Sequence, residues 1–550
     1  MNFIEQESAQ KLRGGFYTDQ SIARFLVKWV GDSSPRRILE PSCGDGAFLE
    51  ALEACEETRS AYVFGCEIDP HEAAVADRRT RLSRKILCGD FLRWHLFEGQ
   101  CTERFDAAVG NPPFIRYQYL PAAQQFLAEK IFDQHGLRFT KHTNAWVSFT
   151  LAAFASLRPG GRLAMVVPAE ILHIPHAQSL RKHLAEHCSR ILLLAPTEIW
   201  FGDTLQGVVL LLAERKRHES EKSRGVSIVP LRDRATLLEE PRAYFEDARY
   251  TNGAAIEGKW MQVLLSERER TLLERAATLP AIRVFKDIAS ADVGIVTGAN
   301  DFFLVAESTI SRYGMERFAH PMFGRADHVK GLVFRQSDHE TNRREGKPTY
   351  FLHFPRTNTR FNKGTQKYLA EGVAQGLPKR YKCRIREPWF AVPSVYPTPI
   401  GMLKRAHHFP RLILNAAGAL TTDTAYRIRP LGVSAEALVL GFVNSLTILL
   451  AELEGRHYGG GVLELVPSEI ERLLVPIVPA DRRALQQADS RFRRAPQPED
   501  FVRDQDARIL AVAGLSVREC DELHEAWLRL RARRHREPRE NVALEPEAVA

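Results

Sequence analysis

The chain has few sulfur residues and no long apolar run. Cysteine occurs eight times in 550 residues, with no Cys-x-x-Cys and no pairing rhythm. That excludes a zinc ribbon and a disulfide framework, and it points to a reducing cytoplasm. No stretch of about 18 unbroken apolar residues exists, so no membrane partner is expected. The nearest candidate, Leu438–Ala451, is interrupted by Asn444, Ser445 and Thr447, and reads as one buried helix. Met1–Gln10 is polar and acidic, which does not suit a signal peptide. The charged and apolar fractions, 26% and 44%, exclude a wholly disordered or collagen-like chain. At this length two to four domains are expected.

Net charge is +8, but it is unevenly placed. Residues 281–420 hold 22 Lys+Arg against 11 Asp+Glu, so the rest of the chain is near neutral. One basic region beside a neutral one suits a nucleic-acid-binding domain joined to a catalytic domain, or equally a solvated basic surface. The last 71 residues carry 14 charges of each sign and look helical, so they are not a basic arm.

The first 215 residues alternate β-rich runs with helical patterns. Strands are predicted at Arg37–Glu40, Tyr62–Asp69, Lys85–Gly89, Phe105–Gly110, Arg162–Val167, Arg190–Ala195 and Gly207–Ala213, the last two as an antiparallel pair. Helices are clearest at Asn144–Leu157 and Gln178–His187. Such alternation predicts a mostly parallel sheet covered on both faces. Residues 214–260 read as a connection. The texture from about 281 to 475 is α+β, with short apolar runs broken by Gly, Pro and Asn.

Three strand ends carry chemistry. RILEPSCGDGAFL (37–49) runs from a strand through a Gly-bearing turn into a helix, and Gly44 and Gly46 let the backbone come close to a ligand. It is neither a full dinucleotide fingerprint nor a phosphate-binding loop. Glu67 closes the second strand, where an acidic side chain suits the two hydroxyls of a ribose. Asp90 follows the third strand in LCGDFL. Ligands of open α/β sheets bind at the carboxyl ends of strands, so these residues can converge.

The fourth strand ends in Asn111-Pro112-Pro113-Phe114. Two prolines have no N–H to donate, so this backbone offers only carbonyls. The Asn111 carbonyl oxygen and an aromatic face at Phe114 complete a site for a planar substrate bearing an amino group.

In this order, the motifs resemble the S-adenosylmethionine-dependent DNA adenine-N6 methyltransferases of the gamma group, typified by the TaqI enzyme of type II restriction–modification. GGFYTDQSIARFLV (14–27) resembles the family's N-terminal cofactor motif. LRPGGRLAMVVPAEIL (157–172) and EIWFGDTLQGVVLLL (198–212) resemble its later strands. Residues 292–305, 386–394 and 459–476 resemble its target-recognition half.

The resemblance implies a Rossmann-like class I α/β domain over 1–250 with a mostly parallel seven-stranded sheet. It implies an α+β recognition domain over 251–479, followed by a helical extension over 480–550. Thr18, Glu40 and Cys43 would line the methionine part of S-adenosyl-L-methionine. Glu67 would hold its ribose, and Asp90, Phe91 and Ile68 its adenine. Pro41, Ser42, Gly44, Gly46 and Pro113 would complete the cofactor pocket. Asn111 and Pro112 would accept the hydrogens of the target amine, and Phe114 and Phe201 would stack on an extruded base. The family motif usually ends in Tyr, and Phe114 keeps the ring but loses the hydroxyl.

The expected partner is double-stranded DNA, met by a monomer in a bacterial or archaeal cytoplasm at the nucleoid, with a separate cognate restriction endonuclease. Other readings are a methyltransferase of RNA or of a protein glutamine amide, and a non-catalytic DNA-specificity subunit. His183–His187 spells an inverted zinc-protease motif, and Asp247 with Glu257-Gly258-Lys259 faintly resembles a nuclease core; neither a metal site nor a fused nuclease is expected. Tyr350, Phe354, Arg356, Arg360, Phe361 and Lys363 suit either DNA contact or a core sheet face.

Overall fold

The computed structural model describes residues 18–99, 104–196, 207–231, 233–356, 360–458 and 460–535. The chain divides at Leu264 and Leu265 into two compact units. Of the expected recognition domain, 251–264 lie in the first unit and 265–479 in the second, Leu265–His535, which also holds residues 480–535 of the expected helical extension.

The first unit is a sheet of eight strands. They are β1 Arg37–Glu40, β2 Tyr62–Glu67, β3 Arg84–Cys88, β4 Phe105–Gly110, β5 Leu157–Pro168, β6 Cys188–Pro196, β7 Val208–Arg215 and β8 Gly225–Leu231. Their order is β3-β2-β1-β4-β5-β7-β6-β8. All pairs are parallel except those of β7, which runs antiparallel to β5 and β6. The expected seven strands are present, and β8 is an eighth. It lies within the stretch read as a connection and pairs in parallel with β6 from Arg190 to Pro196. Its sequence, GVSIVPL, is short and follows a charged loop, so its apolar signal is diluted.

The central strands are apolar because helices cover both faces. All six residues of β4 are buried. Its one charged member, Asp106, accepts the backbone N–H groups of Arg36 and Arg37 at 2.6 and 3.0 Å and pairs with Arg158. Helix Gln20–Gly31, capped by Asp19, lays Phe25, Leu26, Trp29 and Val30 into the core. The chain leaves β1 toward β2 and β3 on one side and returns to β4 on the other. This reversal opens a crevice at the carboxyl ends of β1 and β4.

The second unit is built on a five-stranded sheet. Its order is Ala289–Val293, Ala425–Pro430, Ile400–Leu403, Leu412–Asn415 and Val333–Phe334, antiparallel except for the last pair. An aromatic cluster forms a second layer of core, including Phe302, Phe303, Phe351 and Phe354. Phe354 and Phe361 both pack on Phe318 and Phe390, with centroids 5.2–5.9 Å apart, so these two rings serve the core. Arg356, Arg360 and Lys363 remain exposed.

The stretch predicted as one buried helix at Leu438–Ala451 is two, Ala435–Phe442 and Ser445–Glu454, bent by 74°. Asn444 makes the break: its side chain accepts the Thr447 N–H at 3.0 Å and donates to the Gly441 carbonyl at 2.6 Å. An Asn side chain at this point caps a new helix better than it continues an old one.

The C-terminal helix Val517–His535 lies against Ser445–Glu454. Arg534 and Glu452 pair there at 2.8 Å with both side chains fully buried. Arg534 also donates to the carbonyls of His407 and His408 at 2.7 and 2.9 Å.

Candidate active site

A cavity of about 500 Å³ occupies the crevice at the carboxyl ends of β1–β4, a size suited to a nucleotide-sized ligand. Four loops line it. The turn after β1 contributes Pro41, Ser42, Cys43 and Gly44. The end of β2 contributes Glu67 and Ile68, the end of β3 Asp90 and Phe91, and the end of β4 Asn111 and Pro113. Thr18 joins them from the N-terminal segment.

Backbone geometry explains the first loop. Gly44 and Gly46 have φ of +49° and +91°, a region side-chain-bearing residues avoid. A Cβ on Gly46 would come within 3.1 Å of the Ala76 backbone, whereas nothing lies within 4 Å of the Cβ position on Gly44. Gly44 therefore faces open cavity and Gly46 lets the helix Pro70–Arg79 close in.

Glu67 is locked across this turn. Its Oε2 accepts the Gly44 N–H at 2.9 Å and its Oε1 accepts the Asp69 N–H at 3.0 Å. An ionised carboxylate has about four acceptor positions, so this one is held in place with capacity to spare. Ile68 beside it is 55% exposed, an apolar face open on the cavity. Asp90 caps the short helix Phe91–Trp94 by accepting the Arg93 N–H at 3.1 Å.

Asn111 is fixed from two sides. Ser42 Oγ donates to its backbone carbonyl at 3.0 Å, and its side-chain Nδ2 donates to Thr18 Oγ1 at 3.2 Å. The amide is thereby oriented, with the oxygen turned away from Thr18.

Glu40 ends β1 next to Pro41, is fully buried, and is not itself part of the cavity wall. Neither of its oxygens has a hydrogen-bond partner among the described residues. Burial, with the neighbouring Glu67 and Asp45, pushes its carboxyl well above the ordinary range. Such an orphaned acid is costly unless a ligand meets it.

Some expected residues stand apart from the cavity wall. Gly46 supports the turn from behind. Pro112 is buried, and the half-buried Phe114 packs against the main core. Phe201 lies outside the described residues. Conversely, no motif marks Leu120, Gln124, Ala145 and Phe149, which close the cavity from the segment between β4 and β5. They carry no motif, and only the fold brings them there.

The inverted zinc-protease spelling has a structural explanation. His183 and His187 stack at 4.2 Å, His183 meets Phe154 edge-on, and burial drives His183 down to about 3. No group of three or more His, Cys, Asp or Glu able to hold a metal is found among the described residues.

Residues 2–243 match the family described as N-6 DNA Methylase, and residues 257–510 match the C-terminal domain of type II methyltransferase M.Eco57I. The first match makes residues 2–243 similar to the N-6 DNA methylases, and the second makes residues 257–510 similar to the C-terminal domain of a type II methyltransferase. It is 24% identical over 476 residues to type II methyltransferase M.XamI of Xanthomonas campestris pv. amaranthicola, covering 84% of this chain and 85% of that one. It is 30% identical over 204 residues to type II methyltransferase M.TthHB8I of Thermus thermophilus, covering 36% of this chain but only 44% of the relative. Among solved structures it is similar to the type IIG restriction endonuclease BpuSI, at 14% identity and a TM-score of 0.41, covering 97% of this chain and 68% of that one.

Proposed function

We propose that this methylase transfers a methyl group from S-adenosyl-L-methionine to the exocyclic amine of an adenine extruded from duplex DNA. The observation that carries the reading is the joining, in one cavity, of Gly44, Glu67, Asp90 and Asn111 from four successive strand ends.

The residues present fit the cofactor. Glu67 offers spare acceptor positions to a ribose diol, and Asp90 offers an acceptor beside the Phe91 ring. Glu40, buried without a hydrogen-bond partner among the described residues, would be the acid that ionises beside a cationic methionine end. When bound, the cofactor supplies an electrophilic methyl carbon. This chain's part is to place the nucleophile. The oriented Asn111 amide oxygen and the Pro112 carbonyl accept the hydrogens of the target amine, which keeps the nitrogen lone pair available. Phe114 serves as the stacking platform, and an aromatic platform returns about 1–3 kcal/mol per base against the few kcal/mol that extrusion costs.

The same reading gives the protein a monomeric encounter with DNA and a separate restriction endonuclease. Duplex DNA is favoured over RNA or a glutamine amide by the basic 281–420 region.

The test is methylation of plasmid DNA, with the modified base located by sequencing. Asn111→Ala should lose transfer at least a hundredfold while binding cofactor nearly as wild type. Phe114→Ala should slow transfer severely, and Phe114→Tyr should retain much of it. Transfer within a few-fold of wild type in Asn111→Ala would refute the mechanism.

A further inference from the structure

The segment from Leu377 to Arg386, in the second unit, combines features that are rare together on a surface. It reads LPKRYKCRIR and forms a 3₁₀ turn, Leu377–Lys379, running into the short helix Tyr381–Arg384. Lys379, Arg380, Lys382 and Arg384 are all exposed. None has a carboxylate partner within 4 Å among the described residues. The C-terminal helix behaves differently: its Arg529, Arg531 and Arg534 pair with Glu269, Glu499 and Glu452. Positive charge is thus neutralised internally at one site and left for solvent or a partner at the other.

Two large apolar side chains stand among these cations. Tyr381 is 64% exposed and Ile385 63%. Four residues apart, they share one side of the turn. Isolated exposed apolar residues are ordinary, but a Tyr–Ile pair ringed by four unpaired cations is not a solvated basic face.

The element is mounted rigidly from behind. Leu377 and Cys383 are buried in the aromatic core of this unit. Arg386 donates to the carbonyls of Thr297 and Val296 at 2.8 and 2.6 Å. Gly298, at φ +78°, lets the loop approach so closely that a Cβ there would sit 2.6 Å from Cβ of Lys382. The back face is committed to the fold, and on the front face the contact among the described residues is Lys382 over the Tyr381 ring, 5.4 Å from its centroid.

We infer that Tyr381 and Ile385 form a wedge that enters a groove of duplex DNA and unstacks a base step while Lys379, Arg380, Lys382 and Arg384 hold the flanking phosphates. Charge complementarity selects a polyanion. Apolar side chains set between cations are the means by which proteins part stacked bases and bend a duplex. A purely phosphate-binding patch needs the cations but has no use for the pair. The inference rests on the proposed action on duplex DNA and names the element that would help distort it.

The test uses the full chain. Binding to a 40-base-pair duplex would be followed across salt, and methylation would be measured at the site mapped in plasmid DNA. Replacing the four cations by Ala should reduce the slope of log affinity against log salt by about 2–4, at about 0.9 per phosphate contact. Tyr381→Ala with Ile385→Ala should keep that slope and the cofactor affinity but lower kcat/KM for methylation at least tenfold. Tyr381→Phe with Ile385→Leu should restore most of the rate. Both side chains are exposed, so the thermal midpoint should not move, and an unchanged midpoint excludes misfolding as the cause. A double variant that methylates within twofold of wild type would overturn the wedge and leave the proposed function standing. A wild-type chain that neither binds nor methylates duplex DNA would overturn both.

Discussion

Asn111 and Thr18 stand 93 positions apart and meet at 3.2 Å, the Asn111 side-chain nitrogen donating to the threonine hydroxyl oxygen. The contact decides which way the amide points. With its nitrogen occupied by Thr18, the oxygen is the end that the proposed mechanism offers to a target amine.

Thr18 should therefore act through Asn111 as a positioning residue. Thr18→Ser keeps the acceptor and should retain most of the turnover. Thr18→Val removes it, and the loss of one hydrogen bond of about 1–1.5 kcal/mol should lower kcat by about tenfold. Its signature is a fall in kcat larger than any change in cofactor affinity. A Thr18→Val protein with wild-type kcat would show that the amide is held by other means.

Glu40 should couple the site to pH. Its carboxyl lies above the ordinary range in the folded protein because it is buried beside Glu67 and Asp45. Between the unfolded value and the raised one, the folded protein keeps a proton that the unfolded chain has released, so this group's contribution to stability falls as pH rises through that window. A cation arriving beside it favours the ionised form. Cofactor binding should then release about one proton per site in that window, read by calorimetry in buffers of different ionisation enthalpy. In Glu40→Gln the release should vanish. Equal proton counts in the two proteins would show that Glu40 does not meet the cofactor's charge.

The Arg534–Glu452 pair should behave as a buried clamp. Burial pushes the Glu452 carboxyl up, but Arg534 and His457 outweigh it and hold it down at about 2. The folded value is below the unfolded one, so the contribution is fully present above about pH 4.5 and is lost as pH falls toward 2. Arg534→Ala would leave the buried Glu452 carboxylate with only the His457 ring beside it and should cost about 3–5 kcal/mol, visible in a urea titration of the full chain. Arg534→Lys should recover only part, because an ammonium cannot reproduce the guanidinium's several donors. A loss below about 1 kcal/mol in Arg534→Ala would mean that water or a neighbour compensates.

Much of the first unit was legible because its strands are short, apolar and bounded by turn residues. Arg37–Glu40 and Phe105–Gly110 occur at the predicted limits. Strand β8 escaped because Ser227 and Pro230 interrupt its apolar pattern and a charged loop precedes it. The bend at Asn444 escaped because composition records apolarity, whereas one capping side chain sets direction. Within the cavity, residues that follow strands announced themselves by position. Leu120, Gln124 and Phe149 did not, since an ordinary helical residue becomes a wall only through tertiary packing. The aromatic run at 350–361 shows the converse: two readings fitted the sequence, and burial of Phe354 settled its use.

The clamp also bears on the order of synthesis. Glu452 waits 82 residues for Arg534, and until that residue leaves the ribosome the second unit must bury an acid with no cation or delay closing its core. At about 5–20 residues per second, the wait lasts about 4–16 s. The sheet of the first unit draws every strand from residues up to Leu231 and meets no such delay. The chain is thus expected to be born in stages, with the eight-stranded sheet consolidated while the unit from Leu265 to His535 is still open and lacks the helix Val517–His535.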